Sequence, residues 1–130
     1  MPELTSYDYA IIRVVPRVER EEFINVGVVI FCRTQKFLAA RVEVDEEKLR
    51  VLAPQLDRAE LDQQLESIPR LCAGEGPIGA LGPAETFHWL VAPHSTVIQC
   101  SPVHTGLSSD VPAELDRIMD VMVRNQKRLG

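Results

Sequence analysis

The sequence predicts an α+β domain: an antiparallel sheet of about four or five strands with helices packed on one face. Three observations predict it. The first 44 residues hold three apolar segments with strand-like patterning, separated by polar turns. Residues 45–72 and 112–128 instead repeat their apolar residues at helical spacing. A loop rich in glycine and proline, 73–83, ends the first of these helical stretches. The chain has 130 residues, the size of one domain spanning 1–130. With 45% hydrophobic residues it can build a core without disulfides or a structural metal.

Tyr7–Val15 reads as the first strand, with Tyr7, Tyr9, Ile11, Arg13 and Val15 on one face and Ala10, Ile12 and Val14 on the other. Pro16 has no N–H for a ladder bond and should end it. Arg17–Glu22 is a charged, exposed connection. The second strand, Phe23–Cys32, is the longest apolar run and is rich in β-branched residues. Its expected faces are Ile24, Val26, Val28 and Ile30 against Phe23, Val29 and Phe31, so it should be central and covered on both sides. Asn25 and Gly27 interrupt the second of these faces. After the polar turn 33–36, Phe37–Val44 completes a three-strand meander. Leu38, Ala40, Val42 and Val44 take its apolar face, and Arg41 and Glu43 meet water.

Asp45 is placed to cap a short helix that carries Leu49, Leu52, Ala53 and Leu56 inward and stops at Pro54. Asp57–Glu60 has capping-box spacing, and Leu61, Leu65, Ile68 and Cys72 follow on one stripe. Pro69 should kink that helix or end it early. Gly74–Gly79 matches G-x-G-x-x-G formally, but it follows a helix and contains Pro77, so no dinucleotide site is expected. Residues 85–91 fit either a strand or a short helix. Val97–Cys100 reads as a strand stopped by Pro102. The last helix runs from Pro112 to about Arg128, with Leu115, Ile118, Met119, Met122 and Leu129 along its stripe.

The net charge of −5 argues against broad binding of nucleic acid or anionic membrane, and aromatics at 5% offer no stacking platform. Cys32, Cys72 and Cys100 are odd in number and widely spaced, as expected of reduced thiols in a cytoplasmic protein. The first residues lack the pattern of a signal peptide, and no segment is long enough to span a bilayer.

Chemistry is sought in two places. Residues 92–106 gather Ser95, Thr96, Gln99, Cys100, Ser101, Thr105, His94 and His104 with no acid or lysine, a set suited to a polar ligand or phosphate. The plainer reading gives the hydroxyls to turn backbone beside the prolines. Zinc on His88, His94, His104 and Cys100 would match no standard spacing, and no metal or other cofactor is expected. Cys100 or Ser95 as a nucleophile lacks any family-type signature, which leaves catalysis undecided. The second place is Arg13 and Asn25, which share a face if odd positions pair with odd, with Gly27 leaving room beside them. Arg13 needs a carboxylate, a ligand or water; Glu22 and Glu43 are candidate partners. The plainer reading is a snorkelling edge arginine and a bulge glycine. The candidate ligand-binding set is therefore Arg13, Asn25, Gly27, Ser95, Thr96, Gln99, Ser101 and His104.

Three motifs carry a resemblance: Tyr9-Ala10-Ile11-Ile12-Arg13-Val14-Val15-Pro16, then Glu22-Phe23-Ile24-Asn25-Val26-Gly27-Val28, then the run from Trp89 to Gly106. In order and wording they resemble the bacterial DUF3037 family, a domain of unknown function. The resemblance implies no activity. It implies a possible protein partner, a kinase of the persistence-toxin type. The first expectation is thus a non-catalytic interaction or regulatory module, acting with such a kinase or with a second copy of itself. The second is a small enzyme or ligand-binding protein that gathers the candidate residues in one polar pocket.

Overall fold

The computed structural model describes residues 3–16, 22–95 and 97–124. The three N-terminal apolar segments form β1 (Thr5–Val14), β2 (Ile24–Cys32) and β3 (Phe37–Val42), an antiparallel meander as expected. The charged connection 17–21 lies outside the described residues. Two further strands, β4 (Ile98–Cys100) and β5 (His104–Ser108), both pair with β1, giving the order β3-β2-β1-β4 with β5 on another stretch of β1. Strand β1 pairs with β5 through Thr5–Tyr9 and with β4 through Ile12–Val14. Strands β1 and β2 are therefore both interior. Strand β5 is not expected from the sequence, because its five residues hold one large apolar side chain.

Between the strands stand α1 (Glu46–Leu52), α2 (Arg58–Cys72), α3 (Gly76–Gly79) and α4 (Pro83–Val91), and α5 (Val111–Met119) follows β5. Asp45, Asp57 and Asp110 cap α1, α2 and α5, each accepting a backbone N–H three residues on, from Lys48, Glu60 and Ala113. The ambiguous segment 85–91 belongs to α4, which Pro83 starts. Helix α2 runs three residues past Pro69 and ends at Cys72.

The expectation of helices on one face needs correction, because they cover both. One core joins Ala10, Ile12, Val14, Ile24, Val29 and Phe31 to Leu49 of α1, Leu61 and Leu65 of α2 and Phe87 of α4. The other joins Tyr7, Ile11, Val28, Ile30 and Cys32 to Val111, Leu115, Ile118 and Met119 of α5. An interior strand that is apolar on both faces needs a layer on each, and α5 supplies the second.

A bulge alters the expected faces of β2. Ile12 pairs with Gly27 and Arg13 with Asn25, which leaves Val26 as the extra residue. Ile24 and Val26 consequently join the core of Val29 and Phe31, not that of Val28 and Ile30. Gly27 and Asn25 also end on opposite faces, where one shared face was expected. A Cβ on Gly27 would overlap the Arg41 carbonyl and lie 3.3 Å from Cδ1 of Ile12, so the glycine is required for close approach of backbone.

Strand β3 ends at Val42, two residues before the expected Val44; Leu38, Ala40 and Val42 on it, and Val44 beyond it, pack on the first core as expected. Arg41 and Glu43 are exposed and ion-paired to Asp116 and Arg124, fastening β3 to the C-terminal helix. That helix changes pitch: Asp120–Arg124 forms a π-helical turn. The wider turn replaces Met122, which is exposed, with Val123 as the buried residue. Leu129 and the basic residues at 127 and 128 lie outside the described residues.

Candidate functional site

Strand β1 changes neighbours between Tyr9, opposite His104, and Ile12, opposite Cys100. At this gap Ile11 would lose its ladder partners. Ser101 replaces them. Its backbone N–H donates to the Ile11 carbonyl (2.8 Å), and its Oγ accepts from the Ile11 N–H (2.8 Å). The hydroxyl proton goes to the Pro102 carbonyl (2.9 Å). Ser95 acts similarly, its Oγ accepting from the N–H groups of Val97 and Ile98 at 3.2 Å each. Both hydroxyls thus serve the backbone. His104 is exposed and tilts against Tyr9 at 5.3 Å between ring centroids. Thr96 lies outside the described residues.

Arg13 sits in register between Asn25 on β2 and Gln99 on β4, so the three side chains share one face. This is the face covered by α5. Asn25 donates from Nδ2 to the Met122 carbonyl (3.0 Å). The Arg13 guanidinium carbon lies 4.1 Å from the centroid of the Phe23 ring. Phe23 lies outside β2 and is 46% exposed, a correction to its expected place inside the strand. Of the expected carboxylate partners, Glu43 holds Arg124. Among the described residues the buried Nε of Arg13 finds no hydrogen-bond acceptor. By contrast Arg41, Arg58, Arg117 and Arg124 each hold a carboxylate within the chain.

On the opposite face, a cavity of about 510 Å³ opens between α2, α4 and β4. Ile12, Val29, Ile68 and Ile98 make its buried floor, and Gln64 and Ser67 of α2 stand at its exposed side. His94 stacks on Trp89 at its rim, 4.2 Å between centroids. Cys100 also lines it. Its thiol donates to the Leu90 carbonyl (3.5 Å), and burial pushes its pKa up to about 11, which opposes the thiolate a nucleophile needs.

The candidate residues therefore divide. Arg13, Asn25 and Gln99 form one row; Ser95 and Gln99 border the cavity behind it; Ser101, His104 and Gly27 are apart from both. Among the described residues these candidates do not gather in a single pocket. Among the described residues no three His, Cys, Asp or Glu side chains are placed to hold a metal ion. Both Phe23 and the cavity were missed, because cation–π stacking and a gap between helices depend on tertiary placement.

The model of DUF3037, described as a protein of unknown function, matches residues 9–123, most of the chain. The chain belongs to the DUF3037 family. That match takes in Arg13, Phe23, the cavity and all five strands except the first residues of β1. No curated protein and no solved structure matches this DUF3037 chain. Among the described residues no helix is long and apolar enough to cross a membrane.

Proposed function

We propose that this DUF3037 protein is a non-catalytic protein-interaction module, with Arg13 and Phe23 receiving an acidic side chain of the partner. The observation that carries this reading is the half-buried Arg13, which stacks on an exposed ring and whose buried Nε has no acceptor among the described residues. A guanidinium in that position is incompletely satisfied, and stacking pre-orients its fork for a planar oxyanion. The groups that would favour an enzyme are committed elsewhere: Ser95 and Ser101 to backbone, Cys100 to a carbonyl. The partner that the family resemblance implies is a kinase of the persistence-toxin type. A second copy of this chain is the other one to test.

The test places a photo-crosslinking amino acid at Met122, the exposed residue whose carbonyl Asn25 holds. Crosslinks formed in cells should land beside an Asp or Glu of one partner. Arg13→Ala should weaken that association at least about thirtyfold, since removing one member of a desolvated charge pair costs about 2 kcal/mol or more. Arg33→Ala, at an exposed turn, should leave it unchanged. Crosslinking indifferent to Arg13→Ala in a variant that melts normally would reject the reading.

A further inference from the structure

We propose that the cavity between α2, α4 and β4 binds an uncharged small molecule, apolar over most of its surface and carrying a hydrogen-bond donor at one end. The site lies on the opposite side of the sheet from Arg13 and does not depend on the role given to that residue. Three observations lead to it. The volume, about 510 Å³, falls within the roughly 300–1,000 Å³ of sites that enclose drug-sized ligands. The described lining contains no Lys, Arg, Asp or Glu, although 25% of the chain is charged. A carboxylate, phosphate or ammonium group would lose its hydration there without a counter-ion. This argues against the phosphate ligand that the hydroxyl-rich segment suggested.

The third observation concerns the polar end. Ser67 donates its hydroxyl proton to the Gln64 carbonyl (2.6 Å), so its oxygen is left to accept. The Gln64 Nε2 is directed to Glu60 (3.4 Å), which leaves Oε1 as an acceptor. Both groups line the cavity; Ser67, whose proton is spent, offers only an acceptor, so the ligand group that matches it is an O–H or N–H. The floor of Ile12, Val29, Ile68 and Ile98 takes the apolar remainder. At the rim, the ring stack of Trp89 and His94 offers a flat aromatic surface.

Trp89 is the one tryptophan in the chain and borders the site, so its fluorescence reports occupancy directly. The probe is N-phenyl-1-naphthylamine, a neutral, apolar molecule with one N–H donor. Its control is the sulfonated analogue, the same skeleton with a negative charge. At pH 8 the neutral probe should bind saturably, one per chain, with quenching of Trp89. The anionic analogue should bind at least tenfold more weakly. Ser67→Arg places a long charged side chain at the exposed side of the cavity without touching the buried floor. It should weaken the neutral probe at least tenfold with an unchanged melting temperature, whereas the exposed neighbour Gln63→Arg should not. Equal affinity for the two probes, no saturable binding, or binding indifferent to Ser67→Arg would each overturn the proposal.

Discussion

At the scale of single residues, side chains that look chemically active from their type turn out to complete the backbone. Ser101 is the clearest case, since its Oγ stands in for a missing carbonyl opposite Ile11. Ser101→Ala would leave a buried N–H without an acceptor, and should lower stability by about 1–3 kcal/mol in urea unfolding. The same substitution should not change crosslinking at Met122 per folded molecule. Gly27 makes the complementary case, where the absent side chain matters. Gly27→Ala must displace the Arg41 carbonyl or Ile12, and overpacking of this kind costs about 1–3 kcal/mol. An unchanged melt for Gly27→Ala would show that the ladder between β2 and β3 yields there. The sequence marked both residues correctly as unusual. It could not assign their roles, because a serine beside proline and a glycine in a strand read alike whether they bind a ligand or repair a backbone.

At the scale of elements, two local departures from ideal period explain most of the difference between expected and observed faces. The strands and helices themselves were legible from alternation, caps and prolines: Pro16 closes β1, and Asp45 and Asp57 open α1 and α2. Face assignment failed where a residue was inserted into the period. In β2 the extra Val26 separates Asn25 from Gly27, and near the C-terminus the π-turn exchanges Met122 for Val123. The bulge is marked in the sequence only by Gly27, which does not say which residue is extra, and the π-turn leaves no mark where the alternative residues are both apolar. The second can be tested directly. Val123→Lys, which removes a residue buried against the α5 core, should cost about 2–4 kcal/mol, while Met122→Lys should cost about 0.5 kcal/mol or less. Equal losses for the two variants, measured by thermal unfolding, would mean that the last turn keeps α-helical pitch.

At the scale of the whole molecule, the doubly covered sheet keeps thiols away from water, and this sets how stability should respond to alkali. Burial raises the pKa of Cys100 from its ordinary value near 9 to about 11, an effect that the charge of Arg13 partly offsets. Burial alone raises Cys72 to about 12. Below pH 9 both thiols are neutral in the folded and unfolded chains, so they add no pH dependence. Above pH 9 the unfolded chain releases these protons while the folded chain retains them, so the unfolded state binds fewer protons and stability falls. The loss should continue to about pH 11 for Cys100 and about pH 12 for Cys72, on the order of 3 kcal/mol for the first thiol and 4 kcal/mol for the second. Tyr7, also raised by burial foremost and held by Glu114, adds a loss of the same sign, but only above its ordinary value of 10. The interval between pH 9 and 10 therefore isolates the thiols. In urea titrations across that interval, the Cys72→Ala/Cys100→Ala variant should start from a lower stability, because two buried sulfurs are gone, yet decline less steeply than the parent chain. Parallel slopes would place both thiols in contact with water and remove the basis for treating Cys100 as an inert wall of the cavity.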